Sequence, residues 1–585
     1  MLLRGIPASG GYGVGKIIIY REYIPEIKKV KISKENIEKE LSHFENALEN
    51  TKKELENLKL SISQKLGKDL SGFLDIQLQV INDKEFTEKT KSTIAEGFSA
   101  EYAVKKAVDE LLLPLRAQGA QFFKERIIDI YDVTSRIIKN IYGRPTFSIV
   151  DVPEDCVIMA RNLPPSEAIL LTSEKVKGIA LETAGKTAHV AIVAKSLEIP
   201  AVTGVKGLLQ RAKEGKIGIV DGERGIVIIN PPKQKIEYYE KAIENLKIKK
   251  IELLEKHAPP ITKDGKRIDV SANIELLSEI YSVKRYEAEG VGLFRTEYLF
   301  LAKRRIPTED EQFYIYKEAA EQLKPKPVII RTFDFGGDKI IPDYRDPNPF
   351  LGWRAIRFCL DNPDFFYGQL KAIIKASAYG NVKLMFPMVN AVEEIRKIKL
   401  ILKKIYQEFE EKEVPYDKDM EIGIMVEIPS TALLAEKFTK YVNFFSIGSN
   451  DLTQYTLAVD RNNEKVSALF DHFHPAVLRL IKRTIGAAHQ GHIWVGVCGE
   501  IASDPLGIAL LVGFGVDELS MIPCMVPEAK VIIQGLEYEK VKRIVQKTVD
   551  FSTPLEVTRY LKKELSKNFP DLSDFFTKSA LTCRI

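Results

Sequence analysis

The stretch Phe444-Phe445-Ser446-Ile447-Gly448-Ser449-Asn450-Asp451 passes from an apolar run to a polar corner, and residues at helical spacing follow it. A short apolar run that ends in turn residues is typical of a buried strand. Seven further runs of this kind follow Pro260, separated by helical segments: Ile268–Ala272, Gly290–Leu293, Val328–Phe333, Val382–Met388, Ile422–Glu427, Trp494–Cys498 and Glu518–Ser520. Eight strands that alternate with helices predict a closed (β/α)8 barrel in this half of the chain.

Charged and polar side chains directly follow five of these predicted strands. Because the C-terminal ends of barrel strands meet at one mouth, we expect these side chains to converge there. Arginine presents a planar fork that holds carboxylate or phosphate in two-point contacts. The candidates Arg295 and Arg331, with Arg357 and Arg461 as further ones, therefore predict an anionic substrate.

The same predicted mouth contains carboxylates and one thiol. Glu427 and Asp451 are of the type that binds Mg2+, which usually completes its shell with water and phosphate oxygens. Asn450 adds a neutral polar group. Cys498 ends a strand between two glycines, where a thiol has room to reach a ligand, although a buried core cysteine fits its context equally well.

A different kind of candidate lies in the first half, at His189. A glycine-containing loop leads into this histidine, which opens an apolar helical stretch, so the imidazole is expected near a helix N-terminus. Backbone N–H groups there favour an anion such as a phosphoryl group on the ring. An imidazole nitrogen is also a usable nucleophile at neutral pH. Taken alone, a histidine in this context is more typical of a capping or core role.

In the part of the chain before the barrel, the spacing of apolar residues changes twice. Residues 1–20 are predicted to form a glycine-rich loop and an opening strand, Gly15–Tyr20. Helical spacing then runs from Ile32 to Ile141, with expected breaks at Gly67, Gly97 and Pro114–Gly119. Short strands follow, at Cys156–Met159, Gly178–Leu181, Ile217–Val220 and Gly225–Ile229, and a charged helix covers Lys235–Lys256. The predicted fold class is a multidomain α/β protein: an α/β domain with an inserted helical bundle, a linker helix and a C-terminal barrel.

Composition excludes several classes of protein. The chain has 585 residues, 45% of them hydrophobic, and its 86 Lys and Arg nearly balance 81 Asp and Glu. The positive charge is interleaved with acidic residues, which argues against nucleic-acid binding. No apolar run is long enough to span a membrane and no signal segment opens the sequence, so a cytoplasmic location is expected. The five scattered cysteines indicate neither disulfides nor a zinc site.

Several motifs resemble Enzyme I of the phosphoenolpyruvate-dependent sugar phosphotransferase system. They extend over essentially the whole length of the chain. The resemblance is carried by Gly185–His189, Ala194–Ala201, Glu289–Phe300, Arg331–Lys339, Asn348–Arg357 and Phe445–Arg461.

The resemblance implies a role for each candidate. His189 would accept the phosphoryl group of phosphoenolpyruvate, and Cys498 would protonate the enolate to give pyruvate. Substrate binding would fall to Arg295, Arg331, Asn450, Asp451, Arg461 and Arg357, and Mg2+ to Glu427 and Asp451. The phosphoryl group would pass to the histidine-containing carrier protein HPr, and the enzyme would be a homodimer formed through its barrels.

The resemblance also implies functions for the domains. Residues 1–30 with 145–232 would form the phosphohistidine domain, and residues 31–144 the HPr-binding insert. Residues 233–260 would be the linker helix, and residues 261–585 the phosphoenolpyruvate-binding and dimerisation barrel. The family usually has Gly-Gly-x-Thr-Ser-His, whereas Ala184 and Ala188 replace a glycine and the serine here; Pro164 stands where threonine is common.

Three alternatives fit parts of the sequence. The same chemistry could serve a nitrogen-regulatory carrier. A pyruvate phosphate dikinase or phosphoenolpyruvate synthase shares the histidine unit and the barrel, but the segment before residue 145 has no room for a nucleotide-binding domain. A scaffold that has lost catalysis would need a broken barrel mouth, yet Arg295, Glu427, Asp451 and Cys498 are all present.

Overall fold

A computed structural model of the chain describes residues 1–20, 27–65, 72–117, 121–143, 152–163, 165–168, 171–172, 174–183, 190, 193–194, 197–255, 259–303, 306–336, 346–461, 463 and 465–577. The chain divides into two units, one built on Met1–Ile248 and one on Lys249–Leu581. None of the helices in the described ranges combines the length and apolar character needed to cross a bilayer.

An eight-stranded mixed sheet forms the centre of the first unit. Its spatial order is β1-β8-β7-β3-β4-β5-β6-β2, with β3 to β6 parallel and the remaining pairs antiparallel. The strands are β1 Leu2–Arg4, β2 Ile6–Ser9, β3 Tyr12–Tyr20, β4 Cys156–Ala160, β5 Val176–Leu181, β6 Ala201–Thr203, β7 Ile217–Asp221 and β8 Ile226–Ile229.

The prediction of a loop at the N-terminus was wrong. The first fourteen residues contribute β1, β2 and the start of β3. β1 pairs with β8 and β2 with β6, so each partner lies roughly two hundred residues away in sequence. Such pairing depends on tertiary contacts rather than on local propensity, and a glycine-rich sequence gives no local signal for it.

The described residues between β3 and β4, which are adjacent strands of that sheet, form five α-helices. The helices are Ile37–Lys65, Gly72–Ile81, Lys84–Ala95, Ala100–Ala117 and Gln121–Tyr142. The expected break at Gly97 is present, and the fourth helix passes Pro114 but ends at Ala117, within the predicted break Pro114–Gly119. Val104, Val108 and Leu112 of that helix are fully buried. Their tertiary packing outweighs the helix-breaking tendency of a proline near the end. Gly67 and Gly119 lie outside the described residues.

The charged helix after β8, Lys233–Glu255, begins on the sheet of the first unit. The hydroxyl of Tyr239 donates to Asp221 Oδ2 at 2.9 Å, and its ring packs edge-on against Tyr12. These contacts fix the start of the helix. The described residues of this unit also contain two short helices, Pro165–Ala168 and Leu208–Arg211.

The second unit contains a closed barrel of eight parallel strands, which confirms the predicted (β/α)8 fold. The strands run around the barrel in sequence order. They are β9 Asp269–Ile274, β10 Val291–Arg295, β11 Val328–Arg331, β12 Val382–Phe386, β13 Ile422–Val426, β14 Phe444–Gly448, β15 Trp494–Cys498 and β16 Glu518–Met521.

Helices follow each barrel strand. They are Ile280–Arg285, Glu297–Lys303, Glu309–Leu323, Ile356–Asp361, Pro363–Ser377, Val392–Glu411, Pro429–Leu433, Ala435–Phe438, Ser449–Leu457, Pro475–Gln490, Pro505–Phe514, Val526–Gly535, Tyr538–Val545, Pro554–Asn568 and Ser573–Thr577. Single 3-10 turns cover Lys34–Asn36, Leu277–Glu279, Ser467–Leu469, Glu500–Ser503, Pro523–Met525, Gln546–Val549 and Pro570–Leu572.

Side chains from alternate strand positions fill the barrel, as the strand period requires. One buried cluster joins Leu293, Ile329, Met385, Met425, Phe444 and Cys498. At the floor, where the strands begin, the indole of Trp494 stacks on the ring of Phe444 with centroids 4.4 Å apart. The packed floor leaves the polar groups of the opposite end as the reactive surface.

Candidate active site

Strand ends bring most of the predicted site residues to the barrel mouth. Arg295 and Arg331 are the last residues of β10 and β11 and are direct register partners. Glu427 follows β13, and Cys498 ends β15. Asn450 and Asp451 lie in the first turn of the helix that follows β14. Each apolar strand is anchored in the core, so the polar residue at its end is held at the mouth.

Arg331 is the most constrained cation of the site. Its side chain is almost completely buried, with Nη2 3.0 Å from Glu297 Oε1 and Nη1 3.2 Å from Asp334 Oδ2. Its Nε has no hydrogen-bond partner among the described residues, although it is buried. Burying an unused donor is costly, and such a donor in a site calls for a ligand. Arg331 is therefore held rigidly with one hydrogen-bonding group still free.

Asp334 joins Arg331 to a second arginine. Arg354 Nη2 lies 2.6 Å from Asp334 Oδ1, and its Nε lies 3.0 Å from the same oxygen. Burial by itself would raise the pKa of Asp334, but Arg354 and Arg331 outweigh it and lower the pKa. The carboxylate thus stays ionised and holds both guanidinium groups in place.

Glu427 is a buried carboxylate among other carboxylates. Its side chain is 1% exposed, and Oε1 accepts the Met388 backbone N–H at 2.6 Å. Burial raises its pKa well above the usual range, and the nearby charges of Asp451 and Asp334 raise it further, while Arg331 opposes them. Gly448 allows this arrangement, because a Cβ at that position would lie only 2.8 Å from Glu427 Oε2.

These carboxylates fit a divalent cation. The mutual repulsion of Glu427 and Asp451 is the kind that a hard cation relieves, and Mg2+ commonly binds one or two carboxylates together with substrate oxygens. No group of three or more His, Cys, Asp or Glu side chains in the described ranges forms a complete metal cage. The donor set therefore suits an ion that shares its coordination with substrate.

Cys498 is a buried thiol at this site. Its side chain is 4% exposed, and the hydroxyl of Ser446 donates to Sγ at 3.2 Å. Burial raises the pKa of Cys498 to about 11; Ser446 lowers it, Glu427 raises it, and Arg331 and Arg295 lower it. At neutral pH the side chain is a thiol, which can act as an acid but not as a free thiolate.

The two remaining polar groups of the mouth have partners from neighbouring loops. Arg295 Nη1 lies 2.8 Å from Glu275 Oε1, and its buried Nε has no hydrogen-bond partner in the described part of the chain. Asn450 Oδ1 accepts the backbone N–H of Glu500 at 3.0 Å. This bond leaves the amide N–H2 of Asn450 available to a ligand.

Three sequence candidates are not placed in this cluster. Arg357 Nη1 donates to the carbonyls of Leu351 and Gly352, at 2.9 and 3.1 Å, and so braces its own loop. The backbone N–H of Arg461 donates to the Gln454 side chain at 3.2 Å, which ties the start of its loop to the helix after β14. His189 lies outside the described residues, as do Pro164, Ala184 and Ala188.

Sequence reasoning did not select four residues that the structure places here. Arg354 is in the same quoted motif as Arg357, and its pairing with Asp334 could not be inferred from spacing. Asp334 and Glu297 stood at strand ends but were not assigned as counter-ions. Ser446 lies within an apolar strand two residues before the mouth, where its inward alternation with Gly448 was the only available signal.

Family comparisons agree with this geometry. The chain matches models for a PEP-utilising enzyme N-terminal domain over residues 4–126, a mobile domain over 152–225 and a PEP-binding domain over 249–538. A phosphoenolpyruvate-protein phosphotransferase from Bacillus sp. (strain S) is 40% identical across 96% of this chain and 98% of its own length. The chain belongs to the phosphoenolpyruvate-protein phosphotransferase family.

Two further enzymes of the family are similar to nearly the whole chain. The enzymes of that name from Geobacillus stearothermophilus and Bacillus subtilis (strain 168) are 40% and 39% identical, each across 96% of this chain. They are covered over 98% and 99% of their own lengths. A solution structure of an Enzyme I protein is 34% identical across 42% of this chain and 99% of its own, with a TM-score of 0.38.

Proposed function

We propose that this enzyme transfers the phosphoryl group of phosphoenolpyruvate to His189 and then to a histidine of HPr, releasing pyruvate. This is the first step of sugar uptake by the phosphotransferase system. The observation that carries the proposal is the convergence of Arg331, Glu427 and the protonated Cys498 at the barrel mouth. They supply an anion-binding group, a carboxylate for a cation and an acid.

Substrate binding follows from the free donors of the mouth. Arg331 and Arg295 each have a buried Nε without a partner among the described residues, which suits the oxygens of a phosphate or carboxylate. Arg354 adds charge close to them through Asp334. Phosphoryl transfer depends mainly on positioning and charge neutralisation, and buried, paired arginines provide both. We keep Arg461 and Arg357 as further proposed substrate ligands.

Proton transfer completes the reaction. When the phosphoryl P–O bond breaks, the electron pair stays on enolpyruvate, whose C3 carbon must then gain a proton. Cys498 is positioned to provide it, because its S–H is intact at neutral pH and the site keeps the thiol desolvated. The new C–H bond gives pyruvate and leaves a thiolate.

Mg2+ is the proposed cofactor, held by Glu427 and Asp451. Such an ion neutralises charge on a substrate phosphate and carboxylate. Asn450, next to Asp451, would donate its free N–H2 to the same substrate.

The domain functions complete the proposal. Residues 1–30 and 145–232 form the phosphohistidine domain, and residues 31–144 bind HPr. Residues 233–260 link them to the barrel of residues 261–585, through which we propose that two copies form a cytoplasmic homodimer. Light scattering of the whole chain and of a variant with altered exposed barrel residues measures the association directly.

The proposal is tested with phosphoenolpyruvate labelled in its phosphate, in the presence of Mg2+. Acid-labile label is expected on the wild type and not on His189→Ala, and it should pass to purified HPr. Faster transfer to a nitrogen-regulatory carrier than to HPr would contradict the assignment of the partner. Absence of label from the wild type would contradict the chemistry.

A further inference from the structure

A buried carboxyl group inside the barrel takes no part in the chemistry described so far. Glu518, the first residue of β16, is 6% exposed. Its Oε2 has no hydrogen-bond partner among the described residues. An unpartnered polar atom in a barrel core is destabilising, so its presence needs a functional or solvent-related explanation.

The strand register places this carboxyl beneath the reactive thiol. Gly496 of β15 is the register partner of Ser446 on one side and of Glu518 on the other. A Cβ at Gly496 would lie 2.7 Å from Glu518 Oε2, so the free oxygen occupies the space that a side chain there would fill. Ser446 and Glu518 therefore face each other across a gap that a glycine keeps open.

Cys498 lies two residues beyond Gly496 on the same inward face of β15. Two residues of strand span about 6 to 7 Å. The hydroxyl of Ser446 already bridges part of that distance, since it donates to Cys498 Sγ at 3.2 Å. One water between Ser446 and Glu518 would find polar partners in both.

Glu518 begins its strand, on the side of the barrel opposite the mouth. Burial raises the pKa of Glu518 to about 7, while Ser271 and Lys383 lower it and Asp269 raises it. Lys383 is paired with Glu421 at 2.6 Å and lies over the Trp494 ring, with a quarter of its side chain exposed. Asp269 is half exposed. A carboxyl with a pKa near neutral is suited to pass on a proton and to regain one.

We propose that Glu518 and Ser446 resupply the proton of Cys498 from the barrel floor. The inference rests on the proposed function, in which each turnover leaves a Cys498 thiolate. The Ser446 O–H bond breaks as its proton forms the new S–H bond, and Ser446 takes a proton from the Glu518 carboxyl, directly or through one water. The Glu518 carboxylate is then protonated by water at the floor. The thiol is thereby restored while substrate or product covers the mouth.

The test follows the origin of the proton in pyruvate. Full-length enzyme equilibrated in H2O is mixed with phosphoenolpyruvate and Mg2+ in excess D2O, and the reaction is quenched after the first turnover. The methyl group of pyruvate is analysed by mass. If Ser446 and Glu518 connect the Cys498 thiol to solvent, the thiol exchanges its proton before it reacts and delivers deuterium to pyruvate. If they do not, the thiol delivers its original protium.

The wild type is expected to give deuterated pyruvate. Glu518→Gln, which keeps the shape but cannot titrate, is expected to retain about ten-fold more protium. Ser446→Ala is also expected to retain more protium than the wild type. It replaces Glu518→Gln in the test if that variant folds poorly. Glu421→Gln is the matched control at the floor, because its amide oxygen can still accept from Trp494, and it should match the wild type.

Equal protium in the wild type and in both variants, at any level, would overturn the relay. Pyruvate formation itself separates this failure from that of the proposed function. If the wild type forms no pyruvate, the proposed function and the relay both fall. If all variants form pyruvate with the same isotope content, only the relay falls.

Discussion

Ser446 and Cys498 lie on neighbouring barrel strands with Oγ and Sγ 3.2 Å apart, the hydroxyl donating to the sulfur. The bond fixes the thiol at the mouth next to the charge cluster of Arg331 and Glu427. Burial keeps the proton on the sulfur at neutral pH, with the pKa raised to about 11. A protonated thiol beside buried arginines suits the two roles that we propose for this site, proton delivery and anion binding.

Replacing Cys498 by serine tests the role of that proton. A serine hydroxyl is a much weaker acid, so pyruvate release is expected to fall by about 10^2- to 10^4-fold, the usual contribution of a positioned acid. Substrate binding should change little, because the arginines are intact. Coupled assay of pyruvate gives kcat and KM; an unchanged kcat would exclude Cys498 as the acid.

Arg354 and Arg357 form a matched pair three residues apart. Arg354→Lys loses two contacts with Asp334 at 2.6 and 3.0 Å, and we expect kcat/KM to fall by about 10- to 100-fold, the value of one or two charged hydrogen bonds. Arg357→Lys loses two contacts with loop carbonyls, and any contact of the guanidinium with substrate would be weakened too, so kcat/KM should also fall. An unchanged kcat/KM in either variant would contradict the role proposed for that residue.

Glu427→Gln is expected to weaken Mg2+ binding. The amide keeps the shape and can accept from Met388, but it removes one of the two proposed ligand charges. The Mg2+ concentration for half-maximal rate should rise by about ten-fold or more. A second readout is thermal: Mg2+ should raise the Tm of the wild type more than that of the variant. Equal Tm shifts would place the cation elsewhere.

The raised pKa of Glu518 predicts that the difference in stability between the wild type and Glu518→Gln depends on pH. Its folded pKa, about 7, is above the usual value, so the native state favours the protonated form and loses stability as pH rises toward and through 7. Glu518→Gln cannot ionise and avoids that loss. Relative to the wild type, the variant should gain on the order of 1 to 3 kcal/mol between pH 5 and pH 8.

Thermal unfolding of the full chain at both pH values measures this difference. The variant and the wild type should differ least at pH 5, where both side chains are neutral. A constant difference in Tm across the range would mean that Glu518 has an ordinary pKa. In Glu421→Gln the replaced carboxylate is the one that pairs with Lys383, which is partly exposed. This variant should show no change with pH in its stability difference from the wild type.

The barrel could be predicted because its strands are short apolar runs that end in polar residues, a pattern set by burial on both faces and a reactive mouth. β1 and β2 could not, since their partners β8 and β6 are remote in sequence. Among site residues, Arg331 and Glu427 stood out as charges after apolar strands. Glu518 did not, because a charge at the start of a strand looks like a solvated loop residue. Only the register, in which Glu518 is the partner of Gly496, places it two residues below the level of Cys498.

The central claim is that phosphoenolpyruvate phosphorylates His189 through the barrel site. The most direct measurement is incubation with phosphate-labelled phosphoenolpyruvate and Mg2+, comparing the wild type, His189→Ala and Cys498→Ser. Acid-labile label on the wild type, none on His189→Ala, and passage of the label to HPr are predicted. Label of equal amount on His189→Ala, or none on the wild type, would contradict the account.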